Sequence, residues 1–277
     1  MRFVKMHGLG NDYVIVEGDE LSGTDRFPDL ARRISDRHLG IGSDGLIVLD
    51  PSASASTAMR IFNADGSPGG MCGNGLRCVG AYLHARGRVP DATFVVSTES
   101  GEVEVRIDAA NGPDFRATTM LPAPIFAPER IPVAIASEKV VDYPVSFAGE
   151  DLRVTCVSMG NPHCIVPSED LDERRVKRLG AEIERNALFP QRTNVSFVTE
   201  VGERQLRQCT WERGSGLTRA CGSGAAASVV AWGERTGVRG PFEVRMDGGT
   251  LEVEWRADGR VAVCGPAVEV FRGEWGT

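Results

Sequence analysis

The chain has 277 residues, 42% of them hydrophobic and 25% charged, with a formal charge of −7; that length implies two domains of somewhat over ~100 residues each. The acidic balance and the lack of a Lys/Arg block argue against nucleic acid as the main partner, and no apolar run approaches the roughly 20 residues that cross a bilayer. Seven cysteines with none in a C-x-x-C pair indicate neither a disulfide framework nor a zinc ribbon, and the charged start Met1-Arg2-Phe3-Val4-Lys5 carries no secretory signal, so free thiols, no metal and a cytoplasmic address are expected.

Residues 3–16 read as two short strands about the turn His7-Gly8-Leu9-Gly10-Asn11-Asp12, in which Asn11 is either a turn former or a polar group facing a site. Residues 27–38 carry Leu30 and Ile34 at helical spacing on a charged background, the pattern of a surface helix. Gly40-Ile41-Gly42-Ser43-Asp44-Gly45 fits G-x-G-x-x-G. A dinucleotide fingerprint follows a strand and opens a helix, whereas this loop follows a helix and opens a strand at residues 46–49, so a Rossmann reading is rejected. After a Ser/Ala-rich hairpin tip at 51–56, a strand at 59–62 leads through Asn63 into Gly69-Gly70-Met71-Cys72-Gly73-Asn74-Gly75 and an apolar run at 76–83.

Alternating segments at 94–98, 103–107 and 115–120 form a meander, and the proline-dense stretch 121–128 is the linker candidate. The second half repeats the theme. Strands are expected at 133–136, 152–159, 164–166, 193–198 and 206–211, with an amphipathic helix carrying Val176, Leu179 and Ile183. Then come Cys221-Gly222-Ser223-Gly224, a second apolar run at 225–232, strands at 242–246 and 251–255, and a last apolar stretch at 261–271. A helix apolar on every side must be enclosed. The reading is therefore an α+β fold of two pseudo-symmetric domains, each a mostly antiparallel sheet curled around a central buried helix.

The twin Cys-Gly-polar-Gly tetrapeptides place a thiol at each helix start, where unpaired N–H groups and the helix dipole favour a thiolate and hold an anion. An isolated buried cysteine is ordinarily a small core hydrophobe, and Cys78, Cys156, Cys164, Cys209 and Cys264 are read that way. Two matched thiols, one on each side of a carbon, suit inversion: one removes a proton as thiolate and the other returns one as thiol. The N–H groups of Gly73, Asn74, Gly222 and Ser223 are suited to grip a carboxylate as charge spreads onto it. His163, in Met159-Gly160-Asn161-Pro162-His163-Cys164, is an acid, base or orienter, or a structural histidine. Glu212 and Arg213 form either a local ion pair or a carboxylate and guanidinium for an amino-acid head group. Only Lys5, Lys139 and Lys177 are available as lysines, which leaves Lys5 as a weak Schiff-base candidate for pyridoxal phosphate.

With MHGLGNDYVIV, GIGSDG, FNADGSPGGMCGNGLRC, MGNPHC, RTNVSFV and WERGSGLTRACGSGA in order, the chain resembles the diaminopimelate epimerases over nearly its whole length. The resemblance implies cofactor-independent epimerisation of LL-diaminopimelate to the meso isomer for lysine and peptidoglycan synthesis. It also implies a homodimer, and a C-terminal segment that returns to the first domain, giving domains 1–120 plus 263–277 and 121–262. Cys72 and Cys221 would then be the acid/base thiols, with His163 and Glu212 poising them or orienting the amino group. Asn11, Asn63, Asn161, Asn194, Glu212 and Arg213 would bind substrate polar groups, and Gly73, Asn74, Gly222 and Ser223 the reacting carboxylate. Where some family members carry Gln after the Asp of the third motif, this chain has Gly45, which offers no side-chain contact. A proline or hydroxyproline racemase of the same frame is the sister alternative, and a non-catalytic dithiol redox module is the alternative of another class.

Overall fold

The computed structural model describes residues 1–21, 26–70 and 72–276, so Met71 of the first motif lies outside the described residues. The chain divides into two compact units, residues 1–120 with 264–277, and residues 121–263. Among the described residues, no helix is long and apolar enough to cross a membrane.

In the first unit, β1 (Arg2–Gly8), β2 (Asn11–Glu17), α1 (Phe27–Ser35), β3 (Gly45–Asp50), β4 (Thr57–Asn63) and the two-residue β5 (Pro68–Gly69) lead to α2 (Gly73–Ala85). Three strands follow, β6 (Thr93–Thr98), β7 (Gly101–Asn111) and β8 (Asp114–Leu121). β2 pairs parallel with β3, and β4 parallel with β6. The pairs β1–β2, β3–β4, β4–β5, β6–β7 and β7–β8 are antiparallel. Alternation sorts the side chains of β2 and β3. Tyr13, Ile15, Ile47 and Leu49 join the core around Leu76, Val79 and Leu83 of α2, whereas Val14, Val16, Leu46 and Val48 pack with Leu30 and Ile34 of α1. These strands are buried on both faces, which is why YVIV and LIVL are continuous apolar runs rather than alternating ones.

The second unit opens with β9 (Tyr143–Phe147), which pairs with the first half of β10 (Glu150–Ser158). β11 (Pro162–Pro167), α3 (Glu173–Arg185), β12 (Asn194–Gly202), β13 (Gln205–Glu212), β14 (Gly216–Thr218), α4 (Gly222–Thr236), β15 (Gly240–Met246) and β16 (Gly249–Trp255) follow. β17 (Val261–Glu274) then runs into the first unit, where its distal part pairs with β1. The pairing pattern repeats that of the first unit: β10–β11 antiparallel, β11–β12 parallel, β12–β13 and β13–β14 antiparallel, β13–β15 parallel. Residues 74–83 of α2 are all buried, Asn74 and Arg77 included, and so are Gly222, Gly224 to Ala231 and Gly233 of α4, so both helices are enclosed.

The expected strand at 133–136 is not one. Ile131, Val133 and Ile135 do bury one face, but the Val133 N–H bonds the Pro128 carbonyl and the Ala134 N–H the Leu188 carbonyl. Alternation reports a buried face; a ladder also needs a neighbouring strand.

Candidate active site

The two cysteine loops are built alike. Cys72 is the N-cap of α2 with φ −128° and ψ 106°, and Cys221 is the N-cap of α4 with φ −132° and ψ 110°. Each sulfur takes the place of a capping oxygen: Gly75 N–H donates to Cys72 Sγ at 3.3 Å and Gly224 N–H to Cys221 Sγ at 3.4 Å. The last glycine of the second motif is closely packed, since a Cβ at Gly224 would lie 3.1 Å from Gln208 Nε2 and Ser196 Oγ and 3.2 Å from the thiol itself. The first intrahelical donors, Leu76 and Ala225, reach back to the Cys72 and Cys221 carbonyls at 2.9 Å. Helix geometry therefore leaves the N–H groups of Gly73 and Asn74, and of Gly222 and Ser223, directed past each helix start, where an anion fits.

The register extends the likeness to the neighbouring strands. β4 and β5 pair Ile61 with Gly69, three residues before Cys72, and β13 and β14 pair Thr210 with Thr218, three before Cys221, so Asn63 and Glu212 occupy equivalent strand ends. Across the parallel pairs Tyr13 stands opposite Gly45 and His163 opposite Asn194. Tyr13 thus corresponds to His163, and Asn11 to Asn161.

In the first unit Asn11, Asn74 and Cys72 are brought together. Asn11 Nδ2 donates to Asp44 Oδ2 at 2.8 Å, which turns its oxygen toward Tyr13, whose hydroxyl donates to Oδ1 at 2.8 Å, and toward Asn74 Nδ2 at 3.3 Å. The Tyr13 hydroxyl is also 3.0 Å from Cys72 Sγ. Asp44 is itself held by Arg37 at 2.8 Å, and Arg37 bridges to Asp12, which pairs with buried Lys5 at 2.6 Å. Burial opposes the charge on Asp12, but the hydrogen bonds from Arg37 and Lys5 outweigh it and lower the carboxyl to about 2. Lys5, committed to Asp12 and the Gly42 carbonyl, is a structural cation. Gly45 leaves no room for a longer residue, since a Cβ there would meet the Phe62 carbonyl at 2.5 Å. Asn63 is exposed at the end of β4, with Nδ2 donating to Ser67 Oγ at 3.0 Å.

In the second unit His163, Asn161, Ser223 and Cys221 form the matching cluster. His163 Nε2 lies 2.9 Å from Asn161 Oδ1 and 3.1 Å from Ser223 Oγ, and Asn161 Nδ2 is 3.4 Å from the same hydroxyl. The imidazole is fully buried and its Nδ1 has no hydrogen-bond partner among the described residues. Burial, helped by the positive charge of Arg213, lowers it to about 3, so it is neutral in the physiological range. Glu212 accepts from the Thr218 hydroxyl. Burial first, and then the Glu212 carboxylate, push the Cys221 thiol well above its ordinary value, against the pull of the Gly224 N–H and the Ser223 hydroxyl. The expectation that a helix start draws a thiol toward neutrality is therefore reversed at Cys221: desolvation and a neighbouring carboxylate exceed the helix terminus.

Asn194 is buried and ties backbone together, donating to the Pro162 carbonyl at 3.0 Å and accepting from the Arg213 N–H at 2.9 Å. Arg213 is exposed and reaches the Gln191 carbonyl at 3.2 Å. Two contributors escaped the sequence reading. Glu184 of α3, buried, holds the Glu212-Arg213-Gly214 turn through Trp211 Nε1 at 2.8 Å and the Gly214 N–H at 3.0 Å. Tyr13 reaches Cys72; its only sequence signal is a hydroxyl in an otherwise apolar run. Cys78, Cys156, Cys164 and Cys264 are buried and Cys209 half-buried, with burial pushing Cys78 up to about 12.

Comparison with known proteins follows the same lines. The family model for diaminopimelate epimerase matches residues 3–122 and 155–270. The diaminopimelate epimerase of Caldanaerobacter subterraneus is 43% identical over 274 residues, covering 99% of both chains, and that of Geobacillus kaustophilus is 45% identical over 275 residues, 98% of this chain and 95% of the other. Among solved structures, a phenazine biosynthesis protein of the PhzF family from Bacillus anthracis superposes with a TM-score of 0.71 at 16% identity, over 100% of this chain and 99% of that one. A probable proline racemase from Agrobacterium radiobacter superposes at 0.70 with 15% identity, over 99% and 92%. These two share the fold, two-domain α+β with a buried helix in each unit. By its sequence along nearly its whole length, the chain belongs to the diaminopimelate epimerase family.

Proposed function

We propose that the protein epimerises LL-diaminopimelate to meso-diaminopimelate without a cofactor, with Cys72 and Cys221 as the proton-transferring pair. The observation that carries the reading is the duplicated N-cap thiol: two sulfurs in the same backbone geometry, each followed by two N–H groups aimed past a helix start. In the forward step a thiolate takes the α-proton, so that a C–H bond breaks, an S–H bond forms and the electron pair spreads onto the substrate carboxylate. The second thiol then gives its proton to the opposite face of the same carbon. The N–H groups of Gly73 and Asn74, and of Gly222 and Ser223, stabilise the carboxylate as its charge grows. The step exchanges the protonation states of the two sulfurs, and solvent resets them.

His163, neutral, orients Ser223 and Asn161 beside the second thiol, and Glu212 favours its protonated form. Asn11, Asn63, Asn161, Asn194 and Arg213 serve the polar groups of a long substrate with a second charged head, a demand that a proline-type ring does not make. The protein acts in the cytoplasm as a homodimer, which sedimentation at twice the monomer mass would establish. The test of function is incubation with LL-diaminopimelate in deuterated water. The expected result is α-deuterium incorporation and meso product with no added cofactor, abolished by Cys72→Ala and by Cys221→Ala. Wild-type protein that leaves the α-position unlabelled, or either variant with full activity, overturns the reading; incorporation into proline instead favours the racemase alternative.

A further inference from the structure

Tyr13 is a side chain in hydrogen-bond reach of Cys72 that the roles above do not use. It is 7% exposed, on the face of β2 that packs against α2. Its hydroxyl contacts two atoms, Asn11 Oδ1 at 2.8 Å and Cys72 Sγ at 3.0 Å. A phenol has one proton to give. Asp44 accepts from Asn11 Nδ2, so the oxygen of Asn11 faces Tyr13 and can only accept. While Cys72 is a thiol, the phenolic proton lies on Asn11 and the phenolic oxygen accepts from S–H. Once Cys72 is a thiolate the sulfur offers no proton and demands donors, and the same hydroxyl turns to it, leaving Asn11 Oδ1 to Asn74 Nδ2.

We infer that Tyr13 is a positioning residue for Cys72, accepting a hydrogen bond from its thiol and donating one to its thiolate. Burial, and then the neighbouring Cys72, push the phenol well above its ordinary value, so it keeps its proton through the working range. The equivalent position in the second unit holds an imidazole that contacts Ser223 rather than giving its proton to sulfur. The two thiols therefore have different partners on otherwise equivalent strands. The ionisable groups facing Cys72 and Tyr13 among the described residues include Arg77 and Cys78 of α2, with Asp44 beyond Asn11, and a change at Tyr13 leaves all three in place. Arg77 is fully buried and bonds the Gly73 and Pro266 carbonyls and Asn74 Oδ1.

The role presupposes that Cys72 transfers protons, but its test does not require turnover. Tyr13→Phe keeps the ring and removes the hydroxyl. Alkylation of each cysteine by iodoacetamide, followed peptide by peptide against pH, reports thiolate formation at Cys72 with Cys221 as internal control. Loss of a hydrogen bond to a charged group moves the Cys72 midpoint up by about 1–2 pH units, with the Cys221 profile unchanged. Difluorotyrosine at position 13, a stronger donor of nearly the same shape, moves the Cys72 midpoint down and keeps the idea testable where Tyr13→Phe folds poorly. A Cys72 profile in either variant that superimposes on wild type, or an equal shift at Cys221, overturns the inference. Deuterium incorporation by the wild type is scored separately, so failure of the epimerase reading is distinguishable from failure at Tyr13.

Discussion

His163 should stay neutral down to about pH 3, and the consequence can be measured in two ways. Its ring is fully buried, Nδ1 has no partner among the described residues, and the nearby charge of Arg213 is positive, so a second proton is disfavoured. An unfolded histidine titrates near ~6.5. A group whose folded value is depressed contributes stability that is present above the unfolded value and is lost as pH falls, here from about 6.5 toward 3. Between pH 7 and pH 5 the loss is about 2 kcal/mol, from ~1.4 kcal/mol per unit over the ~1.5 units below the unfolded value. Nitrogen NMR of labelled histidine should show a His163 ring that does not titrate from pH 8 to pH 4.5. Denaturant unfolding should show a wild-type stability that falls more steeply between pH 7 and pH 5 than that of His163→Gln, the two curves converging by about 2 kcal/mol. A His163 resonance that titrates near 6.5, or parallel stability curves, would refute the argument from burial.

Glu212→Gln removes the negative charge that opposes a thiolate at Cys221, so the pH midpoint for alkylation of Cys221 should fall; a midpoint that rises would mean the carboxylate acts as a donor-holding group instead. Asp12→Asn leaves Lys5 buried without its partner and should destabilise by about 2–4 kcal/mol at pH 7. Since the Asp12 carboxyl is depressed to about 2, its stabilisation is present above the unfolded value near ~4 and lost below it, so the gap in urea midpoints between variant and wild type should narrow as pH falls from ~4 toward 2. Gly224→Ala crowds Gln208, Ser196 and the thiol, and a cost of about 1–3 kcal/mol in thermal or urea unfolding is expected, with a larger effect on epimerisation than Gly75→Ala, whose Cβ first meets the flexible end of Ile47 at 3.2 Å.

Much of the frame is legible because it follows local rules. The runs beginning at Leu76 and Ala225 have no polar face, and only an enclosed helix satisfies that; the Cys-Gly-polar-Gly motifs mark the starts of those helices. What escapes the sequence depends on partners distant in the chain. The strand Tyr143–Phe147 is mostly exposed and carries no alternation, so its pairing with β10 is fixed by the hairpin at Ala148-Gly149 rather than by a pattern. β5 and β14 are too short to show any period. The contact of Tyr13 with Cys72 spans 59 positions and arises only when alternation on β2 turns that ring toward α2. Asn194 illustrates the opposite case: the motif marks it for substrate, and its amide also fastens the start of β11 and the Arg213 turn.

A duplicated thiol raises a problem that the unequal neighbours resolve. The proposed two-thiol transfer needs one sulfur charged and the other protonated. Two identical, independent thiols hold that mixed state in at most about half of the molecules, and only near their shared pKa. Separating the two values keeps the mixed state dominant across the whole interval between them. Cys221 is fully enclosed and stands beside the carboxylate of Glu212, and both favour S–H against the pull of the Gly224 N–H and the Ser223 hydroxyl. Cys72 is half-buried and is met by a phenol that can turn its proton to sulfur and by a buried guanidinium one helical turn away. Repetition of the fold supplies two sulfurs in the same geometry, and the substitutions at equivalent strand positions, Tyr13 against His163 and Asn63 against Glu212, give them unequal neighbours.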